Sequence, residues 1–281
     1  MMRFESYKIV INGNDEDDIL YEQWYHSSQR SQANKPRNLD EMERNLRIRY
    51  RFSPVDILKD MMYERRVMQK LSAINQYRTG RLVLAASLEL AADLYILRPG
   101  FRDLMTDGFG GDIIDRAMLT ICRGATPKAK PATPLRPNSR VLYMPILAGR
   151  CDESDQNASD DSTLLHELVH AVRPLNFNNL KDQPTNDQWT DLEEFFAVMI
   201  QNIYMSERGD KKVRGSHETA DKKIPATKIA SAEFMANKIN YFRVKDALKR
   251  EPLAQKIAKL DDIPFNPFAE FERAKRDLRS I

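Results

Sequence analysis

Residues 164–170 read LLHELVH, an apolar helical run with two histidines and a glutamate inside it. This stretch restricts the fold more than any other, because stranding even one buried polar group costs about 1–3 kcal/mol. Three such groups within five residues need a common partner, and the rest of the chain must be folded so as to accommodate it.

His166 and His170 are four residues apart, so on a helix both imidazoles leave the same face one turn apart. Two neutral ring nitrogens at that spacing can reach one metal ion at the ~2.0–2.1 Å expected for zinc. Glu167 is displaced around the helix and does not share their coordination position. It is placed instead to take the proton of an attacking water, as a general base. This is the HExxH pattern, and a metal ion is the common partner. The chain holds 4 histidines in all, two of them here; His26, in WYHSS, reads as a surface residue.

A third ligand is sought on the next long helix, expected over roughly 187–207, where LEEFFAVMI at 192–200 offers Glu193 and Glu194 in succession. At 100° per residue Glu194 points almost opposite the stripe of Leu192, Phe196, Met199 and Ile203. Ala197, one turn on, would let a neighbouring helix approach closely. Periodicity leaves both glutamates open, each either a ligand or a carboxylate that orients a histidine.

HELVH followed some twenty residues later by EEFFA resembles the gluzincin class of zinc metallopeptidases. RVLYMPI, LLHELVHA, EEFFAV and the charged segment after them resemble, more narrowly, bacterial effector-type zinc proteases of the NleD-like group, with a weaker similarity to the catalytic domain of anthrax lethal factor. The resemblance covers about residues 65–217, and its specific parts are the two helical motifs. It implies a zincin-like fold with Zn2+ held by His166, His170 and Glu194, and Glu167 as base. It also implies a protein or peptide substrate and, by analogy, a secreted effector or toxin. Two departures are visible: Val198 follows EFFA where lethal factor carries a glutamate, and no tyrosine lies just upstream of EEFFA. Downstream, in or near SERGDKKVRGSH, His217, Arg214 and Tyr204 are the candidates to stabilise the oxyanion.

The surrounding chain is expected to be α+β, mostly helical with a small sheet whose edge strand flanks the active-site helix. A peripheral segment covers 1–52, with a short strand at 7–11 and a turn at Asn12-Gly13. The catalytic domain with its C-terminal helices covers 53–281. Ser53-Pro54 opens a long helix to about Tyr77, Thr79 is the candidate cap of a second helix over roughly 80–90, and a strand follows at 93–99. The four prolines of residues 124–138 mark an extended loop. The strand at 139–147 contains Pro145, which cannot donate a ladder hydrogen bond, and so is expected at a sheet edge. There Val141, Leu142, Tyr143 and Met144 would form a shelf for an extended peptide substrate. The tail from about 228 reads as two or three amphipathic helices broken at Pro252 and around 264–267.

A net charge of +3, from 44 basic and 41 acidic residues, gives no argument for a nucleic acid partner. No apolar run approaches the ~20 residues of a membrane span, and the N-terminus lacks the apolar core of a secretory leader. The expectation is a protein made in the cytosol and, if exported, exported without a cleavable signal peptide. Two cysteines without a CxxC pair give no disulfide framework. The basic end, AKRDLRSI, allows either a docking face for a secretion chaperone or a plainly solvated helix. Two further classes stay open: a zinc hydrolase acting on something other than protein, and a non-catalytic zinc-binding interaction protein.

Overall fold

The computed structural model describes residues 2–4, 6–15, 57–98, 128–130, 139–143, 161–173, 189, 191–216 and 223–279. In chain order these form β1 (Met2–Arg3), β2 (Ile9–Asp15), α1 (Ile57–Gln76), α2 (Arg78–Ala86), β3 (Leu94–Arg98), β4 (Lys128–Lys130) and β5 (Arg140–Leu142). They continue with α3 (Asp161–Ala171), α4 (Leu192–Arg208), β6 (Lys212–Arg214), β7 (Lys223–Pro225), α5 (Lys228–Ala236), α6 (Lys238–Arg250), α7 (Pro252–Ile257) and α8 (Pro267–Arg279). The chain is thus α+β, mostly helical with a small sheet. No helix among the described residues is long and apolar enough to cross a membrane.

Five strands form the main sheet in the order β1-β2-β3-β5-β4. The inner three are parallel, with Ile9 opposite Leu94, and Ile11 opposite Ile96, which faces Val141 in turn. Parallel neighbours need a crossover, and between β2 and β3 the chain passes through α1 and α2. Because side chains alternate along a strand, Ile9, Ile11, Leu94, Ile96, Val141 and Tyr143 form rows on one face, and all six are fully buried. Val67, Leu71 and Ile74 of α1 and the apolar residues of α3 complete that core. Burial of each such side chain contributes roughly 1.5–3 kcal/mol.

Several expectations are corrected here. Residues 2–15 are no peripheral layer, since β2 lies between β1 and β3 and Ile9, Val10 and Ile11 are buried; residues 16–52 fall outside the described part. Asn12-Gly13 does not turn the chain: β2 runs on to Asp15 with a shift of register between Asn12 and Asp15. The strand at 140–142 is not an edge. β4, drawn from the proline-rich segment read as a loop, pairs with it, Lys128 opposite Leu142 and Lys130 opposite Arg140. Pro145 lies outside the described residues. The edge strand that packs beside α3 is β4.

Thr79 is likewise not a cap but a residue of the first turn of α2. The free N–H groups of Arg78 and Thr79 donate to the Glu207 carboxylate at 3.0 and 2.9 Å, so the last turn of α4 caps the first turn of α2. The chain turns between α1 and α2 so tightly that a Cβ at Gly80 would sit 2.0 Å from the Ile74 carbonyl oxygen, which admits only glycine.

The helices α3 and α4 are antiparallel neighbours. Asp161, at the start of α3, meets Tyr204 and Arg208 near the end of α4, and His170, near the end of α3, meets Glu193 at the start of α4. Gly209, in the left-handed region at φ 96°, ends α4 and lets its N–H and that of Asp210 bond back to Ser206 and Met205. The C-terminal helices close the far side, with Phe268 against Phe196 and the Phe265 N–H donating to Ser206 Oγ. Pro252 opens α7 in its first turn, where a missing N–H is harmless.

Candidate metal site

Within α3 every side chain around the motif is buried, from Leu164 through Ala171, and His166, Glu167 and His170 are buried with them. α4 brings its first turn alongside. Asp191 is its N-cap, and Asp191 Oδ1 accepts from the Glu194 N–H at 2.8 Å, which sets Glu193 and Glu194 in the first turn facing the two histidines. Ala197 is fully buried one turn later, where a bulkier residue would hold the helices apart.

Three atoms converge. His166 Nε2 lies 3.1 Å from Glu194 Oε2 and 3.1 Å from His170 Nε2, and the third side of the triangle, His170 Nε2 to Glu194 Oε2, is 3.5 Å. Tetrahedral zinc with ligands at ~2.0–2.1 Å separates neighbouring ligand atoms by about 3.3–3.4 Å. The donor set and its spacing therefore fit zinc, and among the described residues these are the three that could hold such an ion.

The alternative left open on α4 resolves by geometry. Glu193, 1% exposed, faces the other ring nitrogen of His170, whose Nδ1–H donates to Glu193 Oε1 at 2.8 Å. That bond fixes the tautomer and leaves His170 Nε2 with its lone pair toward the triangle. Glu194 is the residue that shares the triangle.

Electrostatics point the same way. Burial pushes His166 down to about 4, with the neighbouring His170 adding to that and Glu194 opposing it. Burial also works to lower His170, but its hydrogen bonds to Glu193 and Glu194 and the charges of Glu167 and Glu194 outweigh it and lift His170 to about 10. The carboxylates around His170 thus favour positive charge at this point of the pocket.

Of the oxyanion candidates, Arg214 is held close. Its backbone is tied to Asn202 at 2.9 and 2.8 Å, and its guanidinium donates to Gln201 Oε1 at 3.2 Å. Burial lowers its pKa, against the opposing charges of Glu194 and Glu167. Tyr204 is engaged elsewhere: its hydroxyl donates to Asp161 at the opposite end of the helix pair, and its ring packs edge-on against Tyr77. His217 and Met144 lie outside the described residues.

The expected peptide shelf does not survive. Val141 and Tyr143 are fully buried, and the backbone of 140–142 is paired on both sides. Tyr143 N–H donates to Leu97 and its carbonyl accepts from the Tyr63 hydroxyl, so neither is open to a substrate. Leu142 is paired through its backbone with both Leu97 and Lys128.

Residues that the sequence reading passed over also belong to the site. Asp191 carried a local signal, an aspartate three residues before a glutamate at a helix start. Arg173 and Glu251 carried none, because their roles depend on contacts between distant parts of the chain. No protein-family model, curated protein or solved structure matches this chain.

Proposed function

We propose that the chain is a zinc-dependent endopeptidase of the zincin type, with His166, His170 and Glu194 holding the ion. The observation that carries this reading is the triangle of ligand atoms at 3.1, 3.1 and 3.5 Å with Glu167 one residue from its first corner. When bound, zinc polarises water and a substrate carbonyl as a Lewis acid. Glu167 then takes a proton from the attacking water and passes it to the leaving amine. Arg214 supplies positive charge toward the developing oxyanion. Its tie to Asn202 and Gln201 holds it in place for that task.

An extended substrate would add by main-chain hydrogen bonds to the edge of β4 beside α3, the task expected at first of residues 140–146. The same reading carries a protein that acts on a protein target as an effector.

The test is elemental analysis combined with hydrolysis of an unstructured protein such as casein. Native protein should hold about one zinc per chain and cleave. Glu167→Gln should keep the zinc and lose ~10²- to 10⁴-fold in rate. Native protein that neither holds nor regains zinc refutes the reading.

A further inference from the structure

We propose that Arg173 and Glu251 are positioning residues for the metal ligand His170, so that the C-terminal helices, which supply no ligand, hold one in place. The proposal rests on the zinc-site reading above and names what orients that site.

Four side chains form one continuous chain of contacts. His170 Nδ1 meets Glu193 Oε1 at 2.8 Å, and Arg173 Nη1 donates to that same oxygen at 2.7 Å. Arg173 is in turn gripped by Glu251, its Nε donating to Oε2 at 3.0 Å and its Nη2 to Oε1 at 2.7 Å. The guanidinium carbon also stands 3.8 Å from the centre of the Phe196 ring. Arg173, Glu193 and Glu251 are 7%, 1% and 3% exposed, so all three are out of reach of bulk solvent.

Each link answers a specific physical need. A carboxylate buried as deeply as Glu193 needs a partner for its oxygens, and the arginine sits on the oxygen that accepts from His170. Glu193 Oε2 has no hydrogen-bond partner among the described residues, so the orientation of this carboxylate rests on Oε1 alone. Arg173 alone could pivot. The two-pronged grip of Glu251 and the face of Phe196 hold its plane, as a forked guanidinium–carboxylate pair does. Glu251 is the residue between α6 and α7, with its own N–H bonded to Ala247. The two carboxylates and one guanidinium leave the group with a net negative charge facing His170, which favours a cation beyond it.

The relay can be told apart from general stabilisation, because another, partly buried ion pair lies at the opposite end of the same two helices, between Arg208 and Asp161. Removing that pair should weaken the fold without touching the metal. The experiment measures zinc affinity by chelator competition, together with the visible absorption of the cobalt(II)-substituted protein, for native protein, Glu251→Gln, Arg173→Lys and Arg208→Met. Expected is a 10- to 100-fold loss of zinc affinity and an altered cobalt spectrum in the first two variants, as is typical when a residue orienting a ligand is changed. Arg208→Met should match the native protein in both readouts.

Should Glu251→Gln fail to fold, Arg173→Met combined with Glu251→Met leaves neither of those charges unpaired and carries the same expectation. Native affinity and spectrum in the folded Arg173 and Glu251 variants would overturn the relay and leave the zinc site standing. Equal losses in Arg208→Met would reduce the effect to stability and overturn it too. A native protein that binds neither zinc nor cobalt would overturn the relay together with the site.

Discussion

The two ends of the α3–α4 pair bury acidic groups in opposite ways. At the start of α3, Asp161 receives the Tyr204 hydroxyl and the Arg208 guanidinium, and Arg208 reaches on to Asp210 at 2.7 Å. Every charge there is answered from within the chain. At the other end His166, His170 and Glu194 aim three ligand atoms at one point, and Glu167 adds another carboxylate nearby. On the proposed reading, that end is completed by a cation from outside the chain. The contrast teaches where chemistry can occur: a cluster neutralised internally is structural, whereas one that concentrates lone pairs on a common point has affinity to spare for a ligand.

The sharpest way to break this comparison is to remove one acid from each end. Glu194→Ala is expected to weaken zinc binding by more than ~100-fold, beyond what changes outside the ligand set cost. Asp161→Asn should leave zinc affinity within about threefold of native. Similar losses in the two variants, measured by chelator competition, would mean that the ends are not different in kind.

The reverse asymmetry should appear in stability. Asp161→Asn leaves Tyr204 and Arg208 without their anionic acceptor and is expected to cost about 2–3 kcal/mol in urea denaturation of metal-free protein. The figure is placed low because Arg208 is 20% exposed and keeps Asp210. A midpoint unchanged from native would show that the internal pairing contributes nothing.

The smallest effect concerns acid. Glu207, one residue before Arg208, resists burial through hydrogen bonds from Thr79 and Arg78 that hold its pKa below the usual 4.5. A carboxylate lowered in the folded state stabilises fully above its unfolded value and loses that contribution as pH falls through the folded one. Native protein should therefore exceed Glu207→Gln in stability near pH 7, and the gap should shrink as pH falls below the usual 4.5 and through the lowered folded value. Urea midpoints across that range check it; a gap independent of pH would assign the effect to shape rather than charge.

How much of this was legible beforehand differs by element. α1, α3, α4 and the helical tail with its break at Pro252 followed from apolar spacing and prolines, which act within a few residues. The tail holds four helices rather than two or three, because Asn237 also ends one and caps the next. The sheet was harder. A three-residue strand, Lys128–Lys130, has no apolar alternation to announce it, and its pairing turned β5 from an edge into an inner strand. β2 was misjudged for a related reason: its apolar run is short, and whether Ile9 and Ile11 are covered depends on α1 and β3.

His166, Glu167 and His170 were determined by the sequence alone, because a helix fixes the relative direction of residues four apart whatever surrounds it. The same local geometry limited the candidate third ligand to Glu193 or Glu194 without choosing between them. Tertiary structure made that choice, by setting the antiparallel approach of α4 so that Glu194 faces the triangle and Glu193 the outer nitrogen of His170. It alone brought Arg173 and Glu251, 78 residues apart, into a two-pronged pair, and it alone sent Tyr204 to Asp161. Such contacts depend on how helices dock, and docking is decided by the burial of whole faces rather than by any local pattern of residues.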